Sequence, residues 1–422
     1  MKSKIKKLKG TLRQFDIDVP RAVVDDVLNK ILEDFRREAK IPGFRQGKAP
    51  VGLVRKRYQK EAEDELKQDL IPKAYQEALE ESEVNPVSYP EISDVIFAAD
   101  GSLSFKAVFD VYPAVGLKKY KALKVTTRKV KVTEEEIKES LTRVQNICAE
   151  HIDVARPLEK GDFAVCDVET FVDGKNVAKK RENMWIEVSK EASMLGMGEY
   201  LQGLKISDKK DVETVLPEGY PDKKYAGKKA VFKVEVKQTK EKRMPELGEE
   251  LASKLKKNSI DEVREELKSS LLERKESDAK AEMKNQIMEQ LLKSHPFDSP
   301  GSMVARQYKV LVQKTENESR EKGVDKETIG SNQKELEQKL LKEAENKVRL
   351  YFILDEIAKK EKIDVTEEET DKWLENLADS FKNPFEEVKK YYEKHNLIEG
   401  LREQLREEKT LDFLLQEAKI AD

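Results

Sequence analysis

Two cysteines and three histidines in 422 residues leave little material for metal or disulfide chemistry. Cys148 and Cys166 cannot build a disulfide framework, and neither they nor His151, His295 and His395 stand at ligand spacing. No metal site and no cofactor are expected. A run of about 18 apolar residues, which a membrane-spanning helix needs, occurs nowhere, and the basic start Met1–Lys7 is not followed by the apolar segment of a leader. The protein is expected to stay in the cytosol, with no membrane partner. Hydrophobic residues make up only 38% of the chain against 39% charged, a balance that suits thin, elongated domains better than one large globule. By length, about three domains fit.

Charge is plentiful and unevenly placed. The formal net charge is −3, yet residues 1–60 hold 17 Lys/Arg against 7 Asp/Glu. Such an end is drawn to nucleic-acid phosphates by counterion release; a solvated basic face with no partner is the alternative. Within it, Ile41-Pro42-Gly43-Phe44-Arg45-Gln46-Gly47-Lys48-Ala49-Pro50 must be a loop, because two glycines and two prolines rule out a continuous helix. It is no phosphate-binding loop: Gly43 to Gly47 is one residue too short for G-x-x-x-x-G-K, and Ala49 stands where Ser or Thr is required. Phe44, Arg45 and Lys48 on a loop tip imply an anionic partner. The plainer reading is a helix connector with scattered charge.

Periodicity supplies the elements around this loop. Phe15, Ile17 and Val19 alternate with Asp16 and Asp18, predicting a half-buried strand over 12–19. Pro20 opens a helix whose stripe is Val24, Val27, Leu28, Ile31 and Phe35. One further helix is predicted from Pro50, burying Val54, Tyr58, Leu66, Leu70, Ala74 and Ala78. Asp100-Gly101 then marks a hairpin turn ahead of the unbroken alternation Leu103, Phe105, Ala107, Phe109, Val111. Residues 113–150 read as a crossing segment, strand-like at Val125, Val130 and Val132, and then a helix opened by the capping box Thr133–Glu136. The device returns at Thr366–Glu369. Residues 151–243 are strand-rich, with Phe232, Val234 and Val236 alternating against Lys233, Glu235 and Lys237, and with Trp185 assigned to the core. From Pro245 on the spacing is helical, in stripes such as Leu350, Ile353, Leu354 and Leu411, Phe413, Leu414, which resemble arms more than a compact bundle.

Gly43-Phe44-Arg45-Gln46-Gly47-Lys48-Ala49-Pro50 resembles the docking signature Gly-Phe-Arg-x-Gly-Lys-x-Pro of the trigger factor family, bacterial nascent-chain chaperones. The resemblance implies that Gly43, Phe44, Arg45, Gly47, Lys48 and Pro50 hold the protein at the tunnel exit of the large ribosomal subunit, through a ribosomal protein and nearby RNA. The middle segment resembles the FK506-binding (FKBP) type of peptidyl-prolyl isomerase carried by that family, through Gly161-Asp162, Asp167 with Asp173-Gly174, Leu216-Pro217-Glu218-Gly219-Tyr220, Ala226-Gly227-Lys228 and Phe232. Prolyl isomerisation needs neither nucleophile nor metal; an amide must twist over a barrier of about 20 kcal/mol, and an apolar, aromatic-walled slot favours the twisted form. Carried over by position, the slot here is Val168, Val177, Met194, Met197, Tyr220 and Phe232. Aliphatic residues replace most of the aromatics, so isomerase activity is expected to be weak or absent.

The implied fold class is multidomain α+β, with an N-terminal α+β docking domain (1–112), a crossing linker that packs with the C-terminal domain (113–150), a small antiparallel β-rich FKBP-like domain (151–243) and an elongated all-α C-terminal domain with helical arms (244–422). The implied function is an ATP-independent chaperone holding nascent and unfolded chains. Folded basic proteins and a weak homodimer off the ribosome are further implied partners, and the family is also associated with protein export and cell division. Two alternatives stay open: an active prolyl isomerase working as a folding enzyme, and a ribosome-free assembly factor for folded basic proteins.

Overall fold

The computed structural model describes residues 1–38, 42, 44–189, 196–216, 224–321 and 333–421. They fall into two compact units, one of Met1–Val125, Lys284–Thr315 and Asn332–Lys419, the other of Thr126–Met283, Glu316–Ser331 and Ile420–Asp422.

The first unit opens with an antiparallel sheet of β1 (Lys2–Lys7), β2 (Leu12–Val19), β3 (Glu91–Phe97) and β4 (Leu103–Asp110), in the order β1-β2-β4-β3. Strand β2 has the predicted bounds and buries Phe15, Ile17 and Val19, while β4 buries Leu103, Phe105, Ala107 and Phe109. Three helices supply the other half of this core, α1 (Arg21–Glu38), α2 (Val51–Arg57) and α3 (Gln59–Ser82). Phe15, Tyr75 and Phe109 meet with centroids 5.0–6.1 Å apart, within the range of favourable edge and tilted ring contacts.

Two differences from the sequence reading are local. The single helix expected from Pro50 is two, because Tyr58 leaves helical geometry (φ −114°, ψ 30°) and sets its ring 5.7 Å from Phe35. Packing on α1 thus interrupts a run that carries no local stop signal. Strand β1, which periodicity did not predict, is a lysine-bearing edge whose Ile5 is largely exposed; edge strands of this kind resist pairing with other chains.

After β5 (Lys124–Thr126), α4 (Glu134–Ile147) begins at the predicted capping box, with Thr133 and Glu136 side chains each bonded to the other's backbone N–H. Val130 and Val132, read as strand-like, lie outside any strand. They precede a helix N-cap, and Val132 packs sideways onto the α4 core instead of alternating. That core joins Ile137 and Leu141 to Leu251 and Ala252 of α5 (Glu249–Lys254) and Val263 of α6 (Ile260–Ser294).

The second unit's sheet contains β6 (Glu150–Asp153), β7 (Phe163–Val172), β8 (Lys175–Asn176), β9 (Arg181–Glu187), β10 (Lys209–Val215) and β11 (Lys229–Arg243), with β10-β11-β7-β8 as its spine, β6 on β11 and β9 on β7. Helical chain follows as α7 (Gly301–Glu321), α8 (Gln333–Glu361), α9 (Glu367–Phe381), α10 (Phe385–Lys394) and α11 (Ile398–Gln416). The mixed helices and antiparallel sheets, with a helical C-terminal region, agree with the expected fold class.

Within the first unit, residues 112–121 are tied to the C-terminal helices. Tyr112 donates its hydroxyl to Asp355, which also receives Arg406 and, at 2.8 Å, Lys359. Tyr120 and Lys121 both donate to Glu361, at 2.7 and 2.8 Å, and the Lys118 N–H donates to buried His295 at 2.9 Å. Among the described residues, no helix is long and apolar enough to cross a membrane.

Candidate functional site

The loop between α1 and α2 is built by turn chemistry. Lys48 N–H donates to the Arg45 carbonyl at 2.9 Å, and Gly47, third of those four residues, has φ +78°. A turn with positive φ at its third position is type II-like and wants glycine there. Arg45 and Lys48 therefore sit at the two ends of one tight turn, both exposed. Gln46 donates to the Glu38 carbonyl at 3.2 Å, holding the turn against the end of α1. On the other side Ala49 is buried, and the carbonyl of Pro50, extended at φ −60° and ψ 136°, accepts the N–H groups of Leu53 and Val54 in the first turn of α2. Phe44 is 44% exposed, a large aromatic left facing water. Gly43 lies outside the described residues.

Helix α2 adds cations beside this turn. Arg55, Lys56 and Arg57 fill its last turn and are exposed, and Leu53 is exposed as well. Among the described residues, none of Arg45, Lys48, Arg55 and Lys56 has an ion-pair partner. Sequence reasoning singled out Arg45 and Lys48 and passed over Arg-Lys-Arg at 55–57, although that run was legible as three adjacent cations.

The second candidate is the slot expected in the middle segment. Val168, Met197 and Phe232 come together, each at least 98% buried, in one core cluster of the β-sheet unit; Val177 is half-buried against it. Register explains the grouping, since Val234 opposes Val168 between β11 and β7 and Phe232 opposes Val212 between β11 and β10. Met194 and Tyr220 lie outside the described residues. Phe232 is the one fully buried aromatic of this cluster among the described residues, and Tyr225 packs on its margin. Valine and methionine keep the interior apolar and well filled, but they supply no ring face to a twisted amide.

Charges around the core serve the fold. Arg156 grips buried Asp162 through both terminal nitrogens, at 2.6 and 3.2 Å, and Asp162 also accepts the Glu159 N–H at 2.8 Å. A hydrogen bond from Lys180 holds the Asp167 carboxyl below its usual range, with help from the Asn183 N–H and Lys237 and against partial burial. Burial pushes the Cys166 thiol up to about 12, which leaves it protonated and unreactive at neutral pH.

Trp185 corrects the sequence reading: it is 52% exposed, not core. On β9 its neighbour Ile186 takes the inward position, so the two-residue period of the strand turns Trp185 outward. It rests edge-on against His151, centroids 5.3 Å apart, with the Lys240 ammonium 5.4 Å from its ring.

Family models described as "Bacterial trigger factor protein (TF)" and "Bacterial trigger factor protein (TF) C-terminus" match residues 1–144 and 259–416, and one described as "FKBP-type peptidyl-prolyl cis-trans isomerase" matches residues 155–237. The chain is 31% identical to the trigger factor of Halalkalibacterium halodurans over 99% of both chains, and 32% identical to that of Geobacillus kaustophilus over 100% of both. It is 30% identical to that of Solibacter usitatus over 98% of both. A solved structure titled "Promiscuous Substrate Recognition in Folding and Assembly Activities of the Trigger Factor Chaperone" shares the fold, with a TM-score of 0.50 and 20% identity over 99% of each chain.

Proposed function

Since the chain belongs to the trigger factor family, chaperones with an FKBP-type domain, we propose that it is an ATP-independent chaperone that docks at the ribosomal tunnel exit in the cytosol. In this reading residues 1–112 dock, 113–150 cross to the helical part, 151–243 form the FKBP-like domain and 244–422 hold nascent and unfolded chains.

The observation that carries the docking role is the exposed Phe44 beside Arg45 and Lys48, two cations without ion-pair partners among the described residues. Arg45 can meet a carboxylate or phosphate with two parallel hydrogen bonds, and Lys48 contributes a point charge. Arg55, Lys56 and Arg57 extend the cationic surface toward phosphate. Gly43, Gly47 and Pro50 belong to the ribosome-binding set in the same reading. With no nucleotide loop to drive release, client binding is weak and distributed over many apolar side chains.

Co-sedimentation with 70S ribosomes at moderate salt tests docking. The wild type pellets and Phe44→Ala/Arg45→Ala/Lys48→Ala stays in the supernatant. If both pellet alike, attraction is generic to the basic end; if neither does, a ribosome-free chaperone becomes the better reading.

The FKBP-like domain is proposed to act mainly as structure or as an auxiliary contact surface. Support comes from Val168 and Met197 filling space where rings would be needed, with Phe232 the one buried aromatic of that cluster among the described residues. In a proline-containing tetrapeptide assay the rate with this protein stays near the uncatalysed one. A large acceleration would instead establish a folding enzyme.

A further inference from the structure

The FKBP-like segment is joined to α4 and α5 by two chain crossings, and both run through one short ribbon. Strand β11 continues to Arg243, and β6 pairs with its end in register: Lys240 opposite Asp153, Glu241 opposite Ile152, Lys242 opposite His151 and Arg243 opposite Glu150. At the sheet end, buried Thr239 donates its hydroxyl to the Val154 carbonyl and accepts the Val154 N–H on its own carbonyl at 3.0 Å. At the helix end, Lys254 of α5 donates to Glu150 at 2.7 Å and to the Cys148 carbonyl at 3.2 Å. Gln145 of α4 donates to the Pro245 carbonyl at 3.0 Å, and Arg243 stands 3.8 Å from Glu250. All of these residues belong to the second unit.

A two-stranded ribbon by itself is marginal in water, and it bends most easily out of its own plane. Side chains brace it in that direction. His151 of β6 meets Phe163 of β7 and Trp185 of β9 with centroids 4.7 and 5.3 Å apart, and those two rings are 6.2 Å from each other. The Lys240 ammonium stands 5.4 Å from the Trp185 ring and 2.7 Å from Asp153, while Lys242 lies 6.0 Å from the Phe163 ring. Edge-on rings and ammonium groups over ring faces attract one another. The three rings lie outside the core cluster of Val168, Met197 and Phe232. What they join is the ribbon to the body of the sheet.

We propose that this ring cluster is a clamp that makes the ribbon a stiff neck. The FKBP-like sheet is then carried as one body with α4, α5 and the start of α6, and swings only when the clamp opens. Two short crossings without pairing or clamp would act as flexible tethers. The inference stands apart from the isomerase and docking readings. For a domain acting as an auxiliary contact surface, it means a fixed position.

Double electron–electron resonance on the full chain tests the neck. Nitroxides are placed at Lys175→Cys, exposed on β8, and at Lys268→Cys, exposed on α6, in a Cys148→Ser background; Cys166 is buried and takes no label. The clamped chain gives one narrow distance peak. His151→Ala/Trp185→Ala loses that peak to a broad distribution, whereas Trp185→Phe, which keeps a ring in place, retains it. Hydrogen exchange on β7 and β11 checks that each variant's sheet is folded. Should the double variant fail to fold, Lys240→Gln, which removes the ammonium and no ring, takes its place and broadens the peak. A broad distribution in the wild type overturns the clamp, and so does a narrow peak that survives the double variant, or Lys240→Gln in its stead, with the sheet folded.

Discussion

Glu407 and Asp355 show how neighbouring carboxylates on packed helices are pushed in opposite directions. Burial first, and then the charge of Glu403, push Glu407 up to about 7, against the opposing pull of Arg406. Asp355 would also be raised by burial, but hydrogen bonds from Lys359 and Tyr112 and the charge of Arg406 outweigh it and hold the carboxyl low. The signs differ accordingly. A raised acid favours the fold while it is protonated, so its contribution is complete below about pH 4.5 and is lost as pH climbs to about 7. The Asp355 contribution is present above about pH 4 and is lost at lower pH. Glu407→Gln should therefore raise the unfolding midpoint at pH 8, and the gap from the wild type should close below about pH 4.5. Thermal unfolding at both pH values checks this; a variant less stable at pH 8 would mean that the ionised Glu407 has a favourable partner.

At the scale of the element, the turn between α1 and α2 depends on a residue with no side chain. Gly47 has open space around a would-be Cβ, so its requirement is conformational, from φ +78°. Gly47→Ala should cost about 1 kcal/mol locally and re-aim Arg45 against Lys48 while leaving both in place. We expect weaker ribosome co-sedimentation with a nearly unchanged unfolding midpoint. Full retention of docking would show that the turn geometry is dispensable. Elements of this kind were largely legible: β2, the β3–β4 hairpin and both capping boxes follow from alternation and from Thr-x-x-Glu spacing. The helix break at Tyr58 and the edge strand β1 were not, since one answers to a ring on α1 and the other to pairing with β2.

Across the whole molecule, Asp110 makes a connection no local pattern announces. It is 1% exposed, accepts the Thr11 hydroxyl at 2.6 Å, and accepts both the N–H and the hydroxyl of Ser302 at 2.8 and 2.6 Å. A carboxylate from β4 thus meets the first turn of α7, where N–H groups lack helical partners and the helix dipole favours negative charge. Asp110→Ala strips three donors of their acceptor and should cost about 3 kcal/mol. Hydrogen exchange should show the start of α7 losing protection ahead of β2 and β4. Equal protection loss everywhere would mean that Asp110 stabilises the sheet alone.

By itself the sequence determined the family resemblance, the loop between α1 and α2, the strand-rich middle and the helical remainder, because turn residues, alternation and caps act over a few neighbouring positions. Trp185 illustrates its limit: residue size suggested the core, whereas strand register put Ile186 inside and the indole outside. Only the tertiary structure decided that residues 284–315 pack in one unit with residues 1–125, and that Asp110 caps a helix 192 positions away. Those outcomes depend on which surfaces meet after the chain has collapsed, and nothing in a local window of sequence encodes that meeting.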